Sequence, residues 1–315
     1  MVRPKLTFAI PFYRGRDYLE RAITSVLRQT EPSWRLIVSD DGGSEEGIVE
    51  LVRSYRDERL SYHRNERNLG MVANWNRCLD LAETDLVNLL HADDELLEQY
   101  AALMTTAAQR YPQAAALFCA ARVIGEDSQP RISLPDLYKR LLVFDRGDPL
   151  VLRGQDGLQA LLRGDFIMCP TVCYRKSCLG PRRFSERWQM VQDLELFSRL
   201  LLEGEVLVGL AAAGYAYRRH AQNASAVYTE SLLRFQEESQ LYDELGRAAT
   251  QRGWGGAART ARGKQVIGLH LLYRIAADLL RLRPRAAWEK TALLAQLASE
   301  IFSGRDNQTE RRRER

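Results

Sequence analysis

The chain has 315 residues, 45% of them hydrophobic and 27% charged, with a net charge of +4. That is enough apolar material for a large core and too much for a disordered chain. No run reaches the roughly 18 apolar residues a membrane span needs, and the start MVRPKLTFAIPFYR is too short in its apolar part for a secretory leader, so the cytoplasm is the default expectation.

LTFAI (Leu6 to Ile10) ends at Pro11 and reads as a buried strand. After the turn PFYRGR, Asp17 precedes a helix with Leu19, Ile23, Val26 and Leu27 on one face, and Glu20 completes a capping-box pattern. RLIVS (Arg35 to Ser39) is a second strand, followed by the acidic, glycine-rich DDGGSEEG. LSYHR (Leu60 to Arg64) is a third strand, Val72 to Ala82 a helix, and DLVNLLH (Asp85 to His91) a fourth strand. Such alternation indicates an α/β fold with a parallel sheet flanked by helices. Ligands of such sheets lie outside the carboxyl ends of the strands. PFYR, SDDGGS and HADD therefore share one edge. For Asp93 in HADD two readings are open: a cap for a helix starting near Glu95, or a cation ligand.

In the second half, GDFIMCPTVC (Gly164 to Cys173) is an apolar loop or short strand. A helix follows with Leu194, Phe197, Leu200 and Leu201 on one face, stopped by Gly204, and Asp193 sits just before its first turn. EVLVGL is another strand. Five cysteines without a C-x-x-C pair read as free thiols, and the spacing of Cys169, Cys173 and Cys178 is not that of a zinc module. From about Ser231 the pattern is helical, with Ile267, Leu271, Ile275 and Leu279 at spacing four. This part carries 16 Lys/Arg and 10 Asp/Glu, a local +6 that leaves −2 for the rest, and it ends in RRRER, a frayed basic tail. That distribution is not the footprint of a nucleic-acid reader. The amphipathic helix either packs on its own protein or lies on a membrane surface.

FAIPFYRGRDYLERAITSVLRQTEPSWRLIVSDDGGS, NERNLGMVANWNRCLDLAETDLVNLLHADDELL, VQDLELFSRLL and YRRHAQNAS, in this order, resemble the family 2 glycosyltransferases. The likeness covers roughly residues 4 to 225. It implies a GT-A Rossmann-like, mostly parallel sheet for residues 1–225, with a helical C-terminal extension over 226–315. It also implies an inverting, metal-dependent transfer of one hexosyl or deoxyhexosyl unit from a nucleotide-diphosphate sugar to a hydroxyl. The acceptor class is a saccharide or lipid-linked saccharide of cell-surface polysaccharide or lipopolysaccharide assembly, with peripheral contact at the inner membrane face through the C-terminal helices.

By the same resemblance, Pro11 and Tyr13 lie at the nucleotide turn, Asp41 accepts from the base, and Asn68 and Gly70 form another nucleotide-side loop. Asp93 matches the last acid of the family's DxD motif and would hold Mn2+ or Mg2+, with Asp94 as a second carboxylate or a loop-ordering one. His91 stands where the first acid is expected. Asp193, the retained acid of an ED-like pair now reading Gln192-Asp193, is the expected catalytic base. His220 would complete the cation's shell, Arg218 or Arg219 would steady the phosphates, and Trp188 would stack on the acceptor sugar or belong to the core. Two rivals are a nucleotidyltransferase, for which PFYRGRDYL lacks a glycine-rich phosphate loop, and a non-catalytic nucleotide-sugar-binding protein, which the replaced acids at His91 and Gln192 favour.

Overall fold

The computed structural model describes residues 3–43, 45–131, 148–220 and 224–313. It contains two compact units: 1–157 with 166–221, and 158–165 with 222–315.

The first unit is built on a mixed sheet. Strands β1 (Leu6–Phe12), β2 (Trp34–Asp40), β3 (Leu60–Arg64) and β4 (Leu86–Leu89) run parallel in the order β3-β2-β1-β4. The buried residues of β1, β2 and β4 are almost continuous, as in strands covered on both faces, while β3 at the edge is only half-buried. Helices α1 (Arg16–Leu27), α2 (Ile48–Ser54) and α3 (Met71–Leu81) connect them. Because all four strands point the same way, PFYR, SDDGG and HADD do fall on one edge.

Beyond β4 the sheet changes character. The short β5 (Glu95–Leu96) is followed by α4 (Tyr100–Arg110), β6 (Ala114–Ile124), β7 (Leu150–Arg153), α5 (Gly154–Arg163) and β8 (Cys173–Arg175). Next come a short helix α6 (Lys176–Leu179), α7 (Gln192–Leu202) and the long β9 (Val206–Arg218). β8 is antiparallel to both β4 and β6, β5 and β7 are antiparallel to β9, and β6 with β9 is parallel. The parallel half expected from the alternation is thus extended by a mixed half, in which only β6 and β9 run parallel.

Three local expectations change. β1 runs through Pro11 to Phe12, because Ala9 is the last residue paired with β4 and the missing N–H of Pro11 costs no bond on that side. The start of α1 is capped by no side chain: Gly15 is left-handed, its N–H donates to Glu45 Oε1 at 2.8 Å, and Asp17 lies inside the first turn. No helix starts at Glu95, which belongs to β5, so Asp93 is not a helix cap.

The second unit is helical: α8 (Ala224–Glu230), α9 (Leu233–Gln251), α10 (Gly255–Gly263), α11 (Gln265–Leu280) and α12 (Pro284–Arg313). Phe235, Leu241, Tyr242, Leu245, Ala258, Ile267 and Leu271 form its buried face. Two lysines are buried with it. Lys264 donates to Ser239 Oγ at 2.8 Å and Asp243 at 2.9 Å, and Lys290 lies 2.9 Å from Asp278. α12 takes in Arg311–Arg313, so most of the basic run is helical rather than frayed, and the last two residues lie outside the described part. Among the described residues, no helix is long and apolar enough to cross a membrane.

Candidate active site

The carboxyl edge of β1, β2 and β4 gathers most of the residues singled out in the sequence. At the end of β1, Tyr13 is 50% exposed, so its ring is open to a planar partner. Behind it Gly43 packs on the Tyr13 backbone: a Cβ there would sit 1.7 Å from the Tyr13 carbonyl oxygen, and only glycine allows that approach.

The acids ending β2 are both buried and both used by the protein. Asp40 accepts from the Tyr62 hydroxyl and from the Gly42 N–H. Burial, then that carboxylate, pushes the Tyr62 phenol up to about 12. Asp41 accepts from Asn65 Nδ2 at 2.9 Å, the Leu69 N–H at 2.8 Å and the Gly70 N–H at 2.9 Å. These three bonds order the 65–70 loop. Asn68 takes part in the same loop, its Oδ1 accepting from the Gly70 N–H at 2.8 Å while the residue itself is exposed. Gly70 has φ +87 and opens α3.

At the end of β4 the two aspartates differ. Asp94 is 1% exposed; its Oδ1 accepts from the Arg218 backbone N–H at 2.7 Å and its Oδ2 from the Tyr215 hydroxyl at 3.0 Å. Burial, then the neighbouring Asp93 charge, pushes its carboxyl well above the ordinary value despite those two donors. Of its two readings, the ordering one is the better described, since both oxygens already tie the turn to β9. The Asp93 side chain is 30% exposed and lies 2.9 Å from His220 Nε2. Burial raises its pKa, but the His220 hydrogen bond, with the two imidazoles beside it, outweighs that and holds the carboxyl below its ordinary value. Asp93 is thus ionised and reachable.

His91 stacks on Trp75, ring centroids 5.2 Å apart, and burial lowers its pKa against the pull of Asp93, favouring neutral imidazole. His220 stacks likewise on Tyr18 at 5.6 Å. A divalent cation fits this corner. Ligand atoms of His91, Asp93 and Asp94 lie within 4.8 Å of one another, with His91 Nδ1 4.0 Å from Asp94 Oδ2, a donor set of imidazole and carboxylates that suits a divalent ion.

Arg218 is not a phosphate ligand in this arrangement. It is fully buried, and its guanidinium donates to the Asp93 carbonyl at 2.8 Å, the Gly125 carbonyl at 2.6 Å, Ser128 Oγ at 3.0 Å and the Glu95 carboxylate. It locks the turn after β4 to residues 125–128. Arg219, the other arginine considered, is half-buried. Ala221–Asn223 of the YRRHAQNAS segment lie outside the described residues.

Asp193 stands in the first turn of α7, one residue further in than expected, and its Oδ1 accepts from the Leu194 N–H at 2.8 Å. Its charge contributes, after burial and Cys169, to raising the Tyr174 pKa, and Tyr174 lies on β8 opposite Val87 of β4. Trp188 is 3% exposed with the Arg187 guanidinium 4.3 Å over its ring, so of its two readings the core one holds here. Sequence reasoning missed Glu95, Tyr215, Tyr18 and Trp75. Their contacts join distant segments, and no local pattern marks them.

On this α/β fold the strand edge sets a partly exposed aspartate, Asp93, between two imidazoles. The Glycosyl transferase family 2 model matches residues 7–166, and the chain belongs to that family. It is 28% identical over 215 residues to an uncharacterised protein of Mycobacterium tuberculosis, covering 65% of this chain and 64% of that one. It is 25% identical over 207 residues to the Escherichia coli K12 protein WcaA, whose name refers to colanic acid biosynthesis, covering 64% and 67%. It is 35% identical over 97 residues to the GalNAc(5)-diNAcBac-PP-undecaprenol beta-1,3-glucosyltransferase of Campylobacter jejuni, covering 30% and 31%. The chain thus spans less than two thirds of the first of these relatives and about a third of the last. In fold it is similar to S. aureus TarS, residues 1–349, in complex with UDP-GlcNAc: TM-score 0.61, 15% identity, 96% of this chain and 92% of that one.

Proposed function

We propose that this protein transfers a single sugar, with inversion, from a nucleotide-diphosphate sugar to a hydroxyl of a saccharide or lipid-linked saccharide in cell-surface polysaccharide assembly. The observation that carries this reading is Asp93, ionised and accessible at the shared carboxyl edge of β1, β2 and β4, with His91 and His220 beside it. The relatives named for glycosyl transfer support the reaction class, and the TarS complex supports a nucleotide-sugar donor on this fold.

In this reading the donor's base lies against the exposed Tyr13 ring beside Pro11, with Asn68 and Gly70 on its other side. Asp93, with His91 and Asp94 of the same turn and His220 beside them, would hold Mn2+ or Mg2+. When bound, such an ion stabilises the negative charge that builds on the leaving diphosphate. Arg219, rather than the buried Arg218, is the arginine assigned to the phosphates. Asp193 takes the acceptor hydroxyl's proton as that oxygen attacks the anomeric carbon and the bond to the diphosphate breaks.

Incubation with a panel of UDP-, GDP- and dTDP-sugars, with and without Mn2+, tests the reaction through nucleotide-diphosphate release. Asp193→Asn is expected to lower turnover by about 10²–10⁴-fold while leaving nucleotide binding intact. Full activity of that variant removes Asp193 as the base. Tight nucleotide binding without turnover of any donor favours the non-catalytic reading, for which His91 and Gln192 in place of acids already speak.

A further inference from the structure

α11 is apolar on two opposite faces. Ile267 and Leu271 are buried within the helical unit. The two formally charged residues of the helix lie on that same side: Arg274 donates to Glu230 at 2.6 Å, and Asp278 is fully buried 2.9 Å from Lys290. The opposite side presents Leu269, Leu272, Tyr273 and Leu280, exposed by 64%, 52%, 51% and 87%. At 3.6 residues per turn these four form one stripe. A helix that faces only solvent on its outer side normally carries polar residues there, and contiguous exposed apolar surface marks a contact site.

The stripe continues into the turn before α12. Leu282 is 88% exposed and held in the left-handed region at φ 54, and Trp288 on the first turns of α12 is 72% exposed. Arg281, Arg283 and Arg285 alternate with these apolar residues and are all exposed. Of the six Lys/Arg in residues 264–290, Lys264 and Lys290 are buried and paired and Arg274 is bound to Glu230, so the outward positive charge comes from Arg281, Arg285 and Arg283, the last also 3.5 Å from Glu230. Leucines that project from a turn, an interfacial tryptophan and flanking arginines match the layered chemistry of a bilayer: apolar below, anionic at the headgroups.

We propose that the outer face of α11 and the α11–α12 turn dock on an anionic phospholipid surface. A second copy of the chain is a poorer occupant. A two-fold contact presents the same patch from both sides and would gather six arginines, three from each copy, around one apolar interface. The proposal rests on the helical unit alone and is independent of the donor and base assignments.

The test is co-sedimentation of the full chain with vesicles of phosphatidylcholine, or of equimolar phosphatidylcholine and phosphatidylglycerol. Binding is expected to the anionic vesicles, weaker to the neutral ones, and reduced by salt. Leu280→Ser combined with Leu282→Ser should weaken binding about tenfold or more, and Arg281→Gln about fivefold at low ionic strength. These residues are exposed, so the thermal unfolding temperature should stay unchanged. Failure to sediment with either vesicle overturns the proposal, as does equal sedimentation of the leucine variant. So does a concentration-dependent dimer that the same leucine changes dissociate, since the face would then be a self-interface.

Discussion

Two strand ends carry the same dipeptide. Asp40-Asp41 closes β2, and Asp93-Asp94 follows β4 on the same edge of the sheet. At β2 both carboxylates are buried, and between them they accept five protein hydrogen bonds. At β4 Asp94 is buried and accepts from Tyr215 and Arg218, while Asp93, hydrogen-bonded to His220, keeps a 30% exposed side chain. The difference teaches that position on the functional edge is not enough. Burial and the number of protein donors set how much of each carboxylate is left open to a ligand.

The comparison is broken or sharpened by substituting each acid in turn. The largest effect is expected on turnover from Asp93→Asn: a loss of about 10²–10³-fold, together with loss of the Mn2+ response, at nearly unchanged unfolding temperature. Metal-titrated kinetics alongside thermal denaturation check it. Asp94→Ala should instead act on stability, by about 2–4 kcal/mol in urea denaturation, because the Tyr215 hydroxyl and the Arg218 N–H are left buried without an acceptor. Asp41→Ala should cost about 1–3 kcal/mol by the same measurement, since its donors lie in a partly exposed loop. If Asp41→Ala cuts turnover as hard as Asp93→Asn without loss of stability, the contrast between the two strand ends is wrong. The smallest effect is expected from Tyr13→Ala: nucleotide binding about three- to tenfold weaker by calorimetry, with stability unchanged because the ring is half-exposed.

The helical unit differs from the sheet in how it treats charge. Lys264 and Lys290 are nearly fully buried and paired with Asp243 and Asp278, while large apolar side chains of α11 stay outside. The spacing-four pattern Ile267, Leu271, Ile275, Leu279 located the buried face correctly in its first half only. Leu279 is 56% exposed, because the helix is apolar around most of its circumference and periodicity alone then fails to tell inside from outside.

By itself the sequence determined what depends on neighbours a few residues apart. That includes the strand–helix alternation through β4, the shared edge of PFYR, SDDGG and HADD, the apolar face of α7, and the helical character after 231. These follow from side-chain period and turn chemistry, which are local. Only the tertiary structure decided which carboxylate is consumed and which is presented. Asp94 meets Tyr215 from 121 residues away, and Arg218 meets Glu95 from 123. It likewise buried Trp188 and Arg218, for which the sequence left a ligand contact and another reading open. Such roles depend on hydrogen-bond partners supplied by distant strands, and a buried polar group takes whatever partner the fold brings to it.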